Sequence, residues 1–336
     1  GLGDVYKRQF YKKEATAQQP ATSKEEGNLV AFSGPDFKAT FDKQSGLLTS
    51  YLYKKHEYIL NGQGPRPFFW RAPTDNDYGA NLPVRLKAWK EASYQEPKAE
   101  SFQVTPGSNA TTIKVTYRFP QTDARWDITY KIYASGVIKV DNRFVAEGDQ
   151  APMIPRVGLR MQLPESFTDL TYYGRGPKEN YRDRRTSQFI GEYAIPVKDM
   201  YEPYVRPQEN NHRTDIYWCA LTDKTQRGLL LIADRTFELN ASNYPLESMD
   251  SGDTIDNGAP RTEKTHHRHL TDPLPEKMVD LFIDYRMMGV GGDDSWGATA
   301  HEPYLIRPGK ENAIEYGFSL VPFDKKEDYK YLIRQY

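Results

Sequence analysis

Phe37-Lys38-Ala39-Thr40-Phe41, Gln44-Ser45-Gly46 and Leu48-Thr49-Ser50-Tyr51-Leu52-Tyr53 form the stretch that decides the fold. The first and third pieces alternate apolar and polar residues with period two, and the middle piece supplies a turn residue free to take positive φ. The unit reads as a β-hairpin. The same pattern recurs at Thr111–Tyr117, Trp126–Ile132, Val137–Phe144, Val157–Gln162, Gly228–Ala233, Asp280–Arg286 and Ala313–Leu320. Helical periodicity is scarce: one short candidate covers Leu82 to Ser93, and another starts near Tyr244. The expectation is an all-β protein of two large packed antiparallel sheets with few short helices.

Composition bounds the function. The 336 residues carry 45 basic and 46 acidic side chains, a net charge of −1, so there is no basic excess of the kind that tracks a nucleic-acid backbone. No run of eighteen apolar residues is present to form a membrane-spanning helix. Tyrosines (24) and tryptophans (5) coexist with a mean hydropathy of −0.78, a combination suited to handling carbohydrate or to packing against other domains. Cys219 is the only cysteine, which excludes an intrachain disulfide and a multi-thiolate zinc site. In its apolar strand it reads as a small buried side chain.

Residues 1–9 (GLGDVYKRQ) have no period and join awkwardly to the residues after them. They read as a sequence scar, with the natural N-terminus lying upstream. Residues 10–27 are rich in Ala, Gln, Thr, Ser, Glu and Lys and read as a linker. Residues 28–336 are the folded domain.

The unusual residues cluster in turn-like segments. Gly289-Val290-Gly291-Gly292-Asp293-Asp294-Ser295-Trp296-Gly297 turns tightly and presents one large aromatic. An indole at such a tip can stack on a sugar ring; the alternative is a polar turn whose Trp packs back on the core. Retaining glycoside hydrolysis needs two carboxyl groups about 5–5.5 Å apart. Asp293 and Asp294 are sequence neighbours that point apart in extended chain. Asp75 and Asp77 sit in a Pro-Thr-Asp-Asn turn and read as turn hydrogen-bonders. Glu179 reads as a partner of Arg184, and Arg71, Arg175 and Arg185 as loop-pinning ion pairs. Trp70 follows two phenylalanines and reads as core. No alternating βαβα pattern accompanies these residues. His266, His267 and His269 form the densest histidine group, read as polar packing, with a transition-metal site as the alternative.

Five of these segments together carry a family resemblance. They are RAPTDNDYG (Arg71–Gly79), GRGPKENYRDR (Gly174–Arg184), PYVRPQEN (Pro203–Asn210), HRHL (His267–Leu270) and GVGGDDSW (Gly289–Trp296). In this order they resemble the C-terminal "small chain" domain of the large, lacZ-type β-galactosidases of glycoside hydrolase family 2, over roughly Leu29 to Phe323. The resemblance implies a galactose-mutarotase-like supersandwich beside a catalytic (β/α)₈ barrel that lies outside this chain and holds the catalytic glutamates. It implies that Trp296 is a stacking platform for the galactoside, with Asp293 and Asp294 shaping its loop. It also implies a sodium ion caged by backbone carbonyls near Arg206, Pro207 and Thr265, and magnesium and sodium in the full enzyme, which is expected to be oligomeric. The other readings are a free galactoside-binding module and an aldose epimerase. Two departures stand out. Asn211 replaces a glycine common after the Glu-Asn pair, and Asn tolerates left-handed backbone. Met249–Thr262 reads as an inserted exposed loop.

Overall fold

The computed structural model describes residues 19–148, 152–252, 269–293, 295–325 and 327–335. Thr22–Glu26 (β1), Leu29–Ser33 (β2), Phe37–Asp42 (β3), Leu48–Tyr53 (β4) and His56–Glu57 (β5) form a five-stranded antiparallel meander in chain order. The decisive hairpin is β3–β4, with Phe37 opposite Tyr53 and a register shift after Thr40. Gly46 takes φ 74° in its turn. A Cβ there would lie 2.5 Å from both Val115 Cγ1 and the Tyr117 hydroxyl, so the turn can press against the second sheet only as glycine.

The remaining strands are Arg66–Phe68 (β6), Ala99–Thr105 (β7), Thr111–Phe119 (β8), Ala124–Ile132 (β9), Ile138–Ala146 (β10), Arg156–Pro164 (β11), Asp169–Gly176 (β12), Phe189–Pro196 (β13), Arg213–Thr222 (β14), Gly228–Ser242 (β15), Met278–Met287 (β16) and Ile314–Phe323 (β17). Their main order is β13-β12-β14-β15-β17-β10-β9-β8-β7. A branch runs from β15 through β16 and β11 to β6. The branch point is the 15-residue β15, whose first part (Gly228–Ala233) pairs with β17 and whose last part (Glu238–Ser242) pairs with β16. All of these pairings are antiparallel.

Alternation explains the packing. In β9 every second side chain from Ala124 to Ile132 is buried, and β8 repeats the rhythm. Phe41 of the small sheet meets Tyr130 of the large one at 5.0 Å, edge to face. Phe69, just after β6, meets Trp126 at 5.5 Å and Phe119 at 4.9 Å. These contacts belong to a single apolar cluster that joins the small sheet, β6–β11 and β16. Cys219 is fully buried on β14.

Three expectations change. Within the segment read as linker, Thr22–Glu26 form β1, an edge strand with every side chain exposed. Its polar composition concealed it because it joins β2 through backbone pairing and the Thr22 hydroxyl, which donates to the Ser33 carbonyl, and buries no apolar side chain. The helix expected over Leu82–Ser93 is two helices, Leu82–Arg85 and Lys87–Tyr94, separated by Leu86 at φ −109° and ψ 16°. The helix expected near Tyr244 is a single 3₁₀ turn, Leu246–Met249.

Candidate functional site

Arg71–Gly79 is a hub on which the other segments converge. Thr74 caps the short helix Asp75–Gly79, accepting the Asp77 N–H, while the Asp77 carboxylate accepts the Thr74 N–H. That reciprocal box fixes the turn. Asp77 also takes a bidentate pair from buried Arg71 at 2.8 and 3.0 Å. Arg71 has donors to spare and gives them to the carbonyls of Met288 (2.8 Å) and Gly289 (3.1 Å).

The aromatic loop is therefore clamped at its root, and two further side chains hold its arch. Asn76 Nδ2 donates to the carbonyls of Val290 and Gly291, each at 3.2 Å, and Asn76 Oδ1 accepts the Gly297 N–H at 3.4 Å. Asp183 accepts the N–H groups of Val290 (3.0 Å) and Gly291 (2.8 Å). Gly291, Gly292 and Gly297 have φ of 66°, 77° and 79°, which a glycine adopts without cost. Trp296 stands at the tip, 69% exposed, so it does not pack back onto the core. Asp293 is exposed and pairs with His301 at 2.7 Å, a contact that holds its carboxyl below the usual range. Asp294 lies outside the described residues.

Gly79 completes the clamp by absence. A Cβ there would sit 2.6 Å from Gly297 Cα and 3.2 Å from the Trp296 indole. Gly79→Ala is thus expected to lift the loop off the hub. Hydrogen exchange should register this as lost protection at the Val290 and Gly291 amides, by roughly tenfold or more, with the strands unaffected.

The segment Met200–Asn211 docks on the other side of the hub. The Glu209 N–H donates to the Ala72 carbonyl, and Gln208 exchanges two hydrogen bonds with Asp75 at 3.2 Å. The Arg206 guanidinium lies 4.3 Å from the Tyr78 ring. Glu179 ties this segment to the second motif. It accepts from Arg184 (2.7 Å), from the Asn211 N–H (2.8 Å) and from the Tyr204 hydroxyl. Asn211 has φ 59°, the left-handed geometry its replacement of glycine requires. Arg175 and Arg185 both pair with Asp215. Four of the five motifs thus meet around one rim.

Of the fifth motif, His267 and Arg268 lie outside the described residues, as do His266 and Thr265. His269 is exposed, its N–H donating to Asp272. Among the described residues, no group of three or more His, Cys, Asp or Glu side chains is arranged to hold a metal. Of the expected carbonyl cage, the Arg206 carbonyl already accepts from Gln208 Nε2 at 3.3 Å. The segment read as an exposed insertion starts buried: Met249 and Ser251 are covered, and Asp250 accepts the Trp70 indole N–H at 2.9 Å. Trp70 needed a partner for that N–H once it entered the core, and Asp250 supplies it.

Beneath the rim lies a charged cluster that no sequence pattern announced. Arg156 and Asp284, both fully buried, approach to 3.2 Å without hydrogen-bond alignment. Gly158 makes room for Asp284, since a Cβ there would overlap its Oδ1 at 1.8 Å. Asn240 donates to Glu209 and to the Asn210 carbonyl, which fixes its Oδ1 as acceptor for Arg156 and for His212 Nδ1 (2.7 Å). His212 Nε2 faces Glu238 at 3.0 Å. Burial pushes the Asp284 carboxyl up to about 7 despite the pull of Arg156 and His212. Burial alone would lower His212, but the Glu238 hydrogen bond and charge raise it. Both groups hold their protons more tightly when folded. Their contributions are therefore full at low pH and are lost as pH rises, through about 7 for Asp284 and above the ordinary histidine range for His212. Thermal stability is expected to fall between about pH 5 and pH 8, and Asp284→Asn should flatten that slope in melting scans.

The fold and rim define a class: a large antiparallel β domain that displays one clamped aromatic loop. Residues 33–320 match the family described as Beta galactosidase small chain, and the chain belongs to that family. It is 33% identical over 291 residues to a β-galactosidase of Priestia megaterium, covering 86% of this chain and 26% of the relative. It is 32% identical over 279 residues to a β-galactosidase of Lactobacillus delbrueckii subsp. bulgaricus, covering 82% and 26%. The chain thus spans about a quarter of the length of these relatives. Among solved structures, galactose 1-epimerase from Lactobacillus acidophilus superposes with a TM-score of 0.49 at 6% identity, over 90% of this chain and 98% of that one.

Proposed function

We propose that this chain is the C-terminal domain of a retaining β-galactosidase of glycoside hydrolase family 2, completing the pocket for terminal β-D-galactosides. The observation that carries this reading is the clamp. Arg71, Asn76 and Asp183 spend their hydrogen bonds on holding an exposed tryptophan in place, and burying Trp296 would have been the cheaper arrangement. A clamped indole offers a flat apolar face without the entropy cost of ordering it on binding. The carboxyl groups nearby are committed elsewhere: Asp77 to Arg71, Glu179 to Arg184 and Tyr204, and Asp183 to the loop backbone. On this reading the acid and nucleophile belong to a barrel domain outside this chain, against which the rim docks, in an oligomeric enzyme. Magnesium and sodium are assigned to that full enzyme. Hydrolysis of a chromogenic β-galactoside, with and without the remainder of a β-galactosidase lacking this domain, tests the reading.

A further inference from the structure

The antiparallel register of β8, β9, β10 and β17 lines up a second, polar face on the side away from the apolar core. Thr129 lies opposite Lys114 and Asp141, and Asp141 lies opposite Gly317. This face floors a cleft of about 1080 Å³. Arg182 and Arg185, after β12, form one part of its wall, and Asp234–Thr236, where β15 changes partner, form another. Gly317 keeps the floor low: a Cβ there would lie 2.5 Å from Asp234 Oδ2 and 2.8 Å from Asp141 Oδ1.

The chemistry of the cleft selects its occupant. Its charges largely cancel in pairs, Arg125 with Asp127, Arg143 with Glu315 and Arg185 with Asp215, so no single sign is presented to a polyanion. The large exposed apolar side chains Phe189, Val205, Leu274 and Trp296 all lie outside its lining, so it lacks the apolar centre of a protein interface. Its volume, about 1080 Å³, lies just above the range of about 300–1,000 Å³ for a single small ligand. What remains is a long groove dense in donors and acceptors, with Arg286 packed 4.8 Å from the Tyr285 ring and Arg235 exposed on the wall. Hydroxyl groups, which both donate and accept, match carboxylate and guanidinium edges equally well. We propose that this cleft binds a neutral oligosaccharide at a site separate from the Trp296 loop.

Isothermal titration of the full chain with 1,4-β-galactotetraose is expected to give a single site with Kd of about 1 mM. Arg235→Ala/Arg286→Ala, which disturbs none of the ion pairs named above, should weaken binding roughly tenfold or more. Thr129→Trp, which fills the floor, should abolish it, with circular dichroism confirming that each variant is folded. Trp296→Ala should leave it unchanged, so this result stands or falls apart from the pocket reading of Trp296. No heat from the wild-type chain up to about 10 mM tetrasaccharide would overturn the proposal. So would loss of binding in Trp296→Ala with none in Arg235→Ala/Arg286→Ala, or binding of a sulfated tetrasaccharide in place of the neutral one.

Discussion

Arg156→Met is expected to cost about 3–5 kcal/mol, the range for removing one partner of a buried ion pair. The guanidinium touches five groups at once: Asp284 at 3.2 Å, Glu209 at 3.5 Å, Asn240 at 2.8 Å, the Trp70 carbonyl at 3.4 Å, and the Phe282 ring, whose centroid lies 4.1 Å away. Methionine replaces only the packing on Phe282. Two carboxyl groups would then be left in a region with no access to water, against a total stability of about 5–15 kcal/mol for a folded domain. Urea unfolding midpoints measure the loss. Because Asp284 can take up a proton below about pH 7, the penalty should be smaller at pH 5 than at pH 8. Arg156→Met/Asp284→Asn should recover part of it. An equal loss in the single and double variants at both pH values would show that the pair is not the source of the effect.

In the assembled enzyme, Trp296→Ala should raise KM for a β-galactoside about tenfold to hundredfold, the scale of a single aromatic anchor. The indole is 69% exposed and its loop is held by seven hydrogen bonds with Arg71, Asn76 and Asp183. Truncation therefore removes a binding face and leaves its support standing. Trp296→Phe, which keeps a smaller ring, should fall between the two. A change confined to kcat with KM unaltered would argue that the ring acts on a step after substrate capture.

Much of this was legible in the chain because antiparallel strands with one wet face write their period into the sequence. The runs Thr111–Tyr117 and Trp126–Ile132 fall inside β8 and β9, whose buried residues alternate as read. The tight turn before Trp296 was legible too, since its glycines are free to take positive φ, but which way the indole faces was not. The clamp was not. Asp183 and Asn76 reach across 107 and 214 positions to Val290, a separation no local pattern encodes. The buried ions were concealed for a related reason. Charged residues on alternate strand positions look like a solvated face, yet β11 is buried on both sides from Arg156 to Met161. Asp284 likewise sits in a run, Met278–Asp284, in which every side chain is covered. β1 failed in the opposite sense, being a strand whose side chains are all exposed and so carry no apolar period.

We hold that this chain completes a galactoside pocket whose reacting carboxylates lie elsewhere. Hydrolysis of a chromogenic β-galactoside by the purified chain, alone and mixed with a β-galactosidase chain lacking this domain, tests it most directly. The expected result is no turnover by the chain alone and turnover on mixing. Turnover by the chain alone would place an acid and a nucleophile among its own residues and contradict the account.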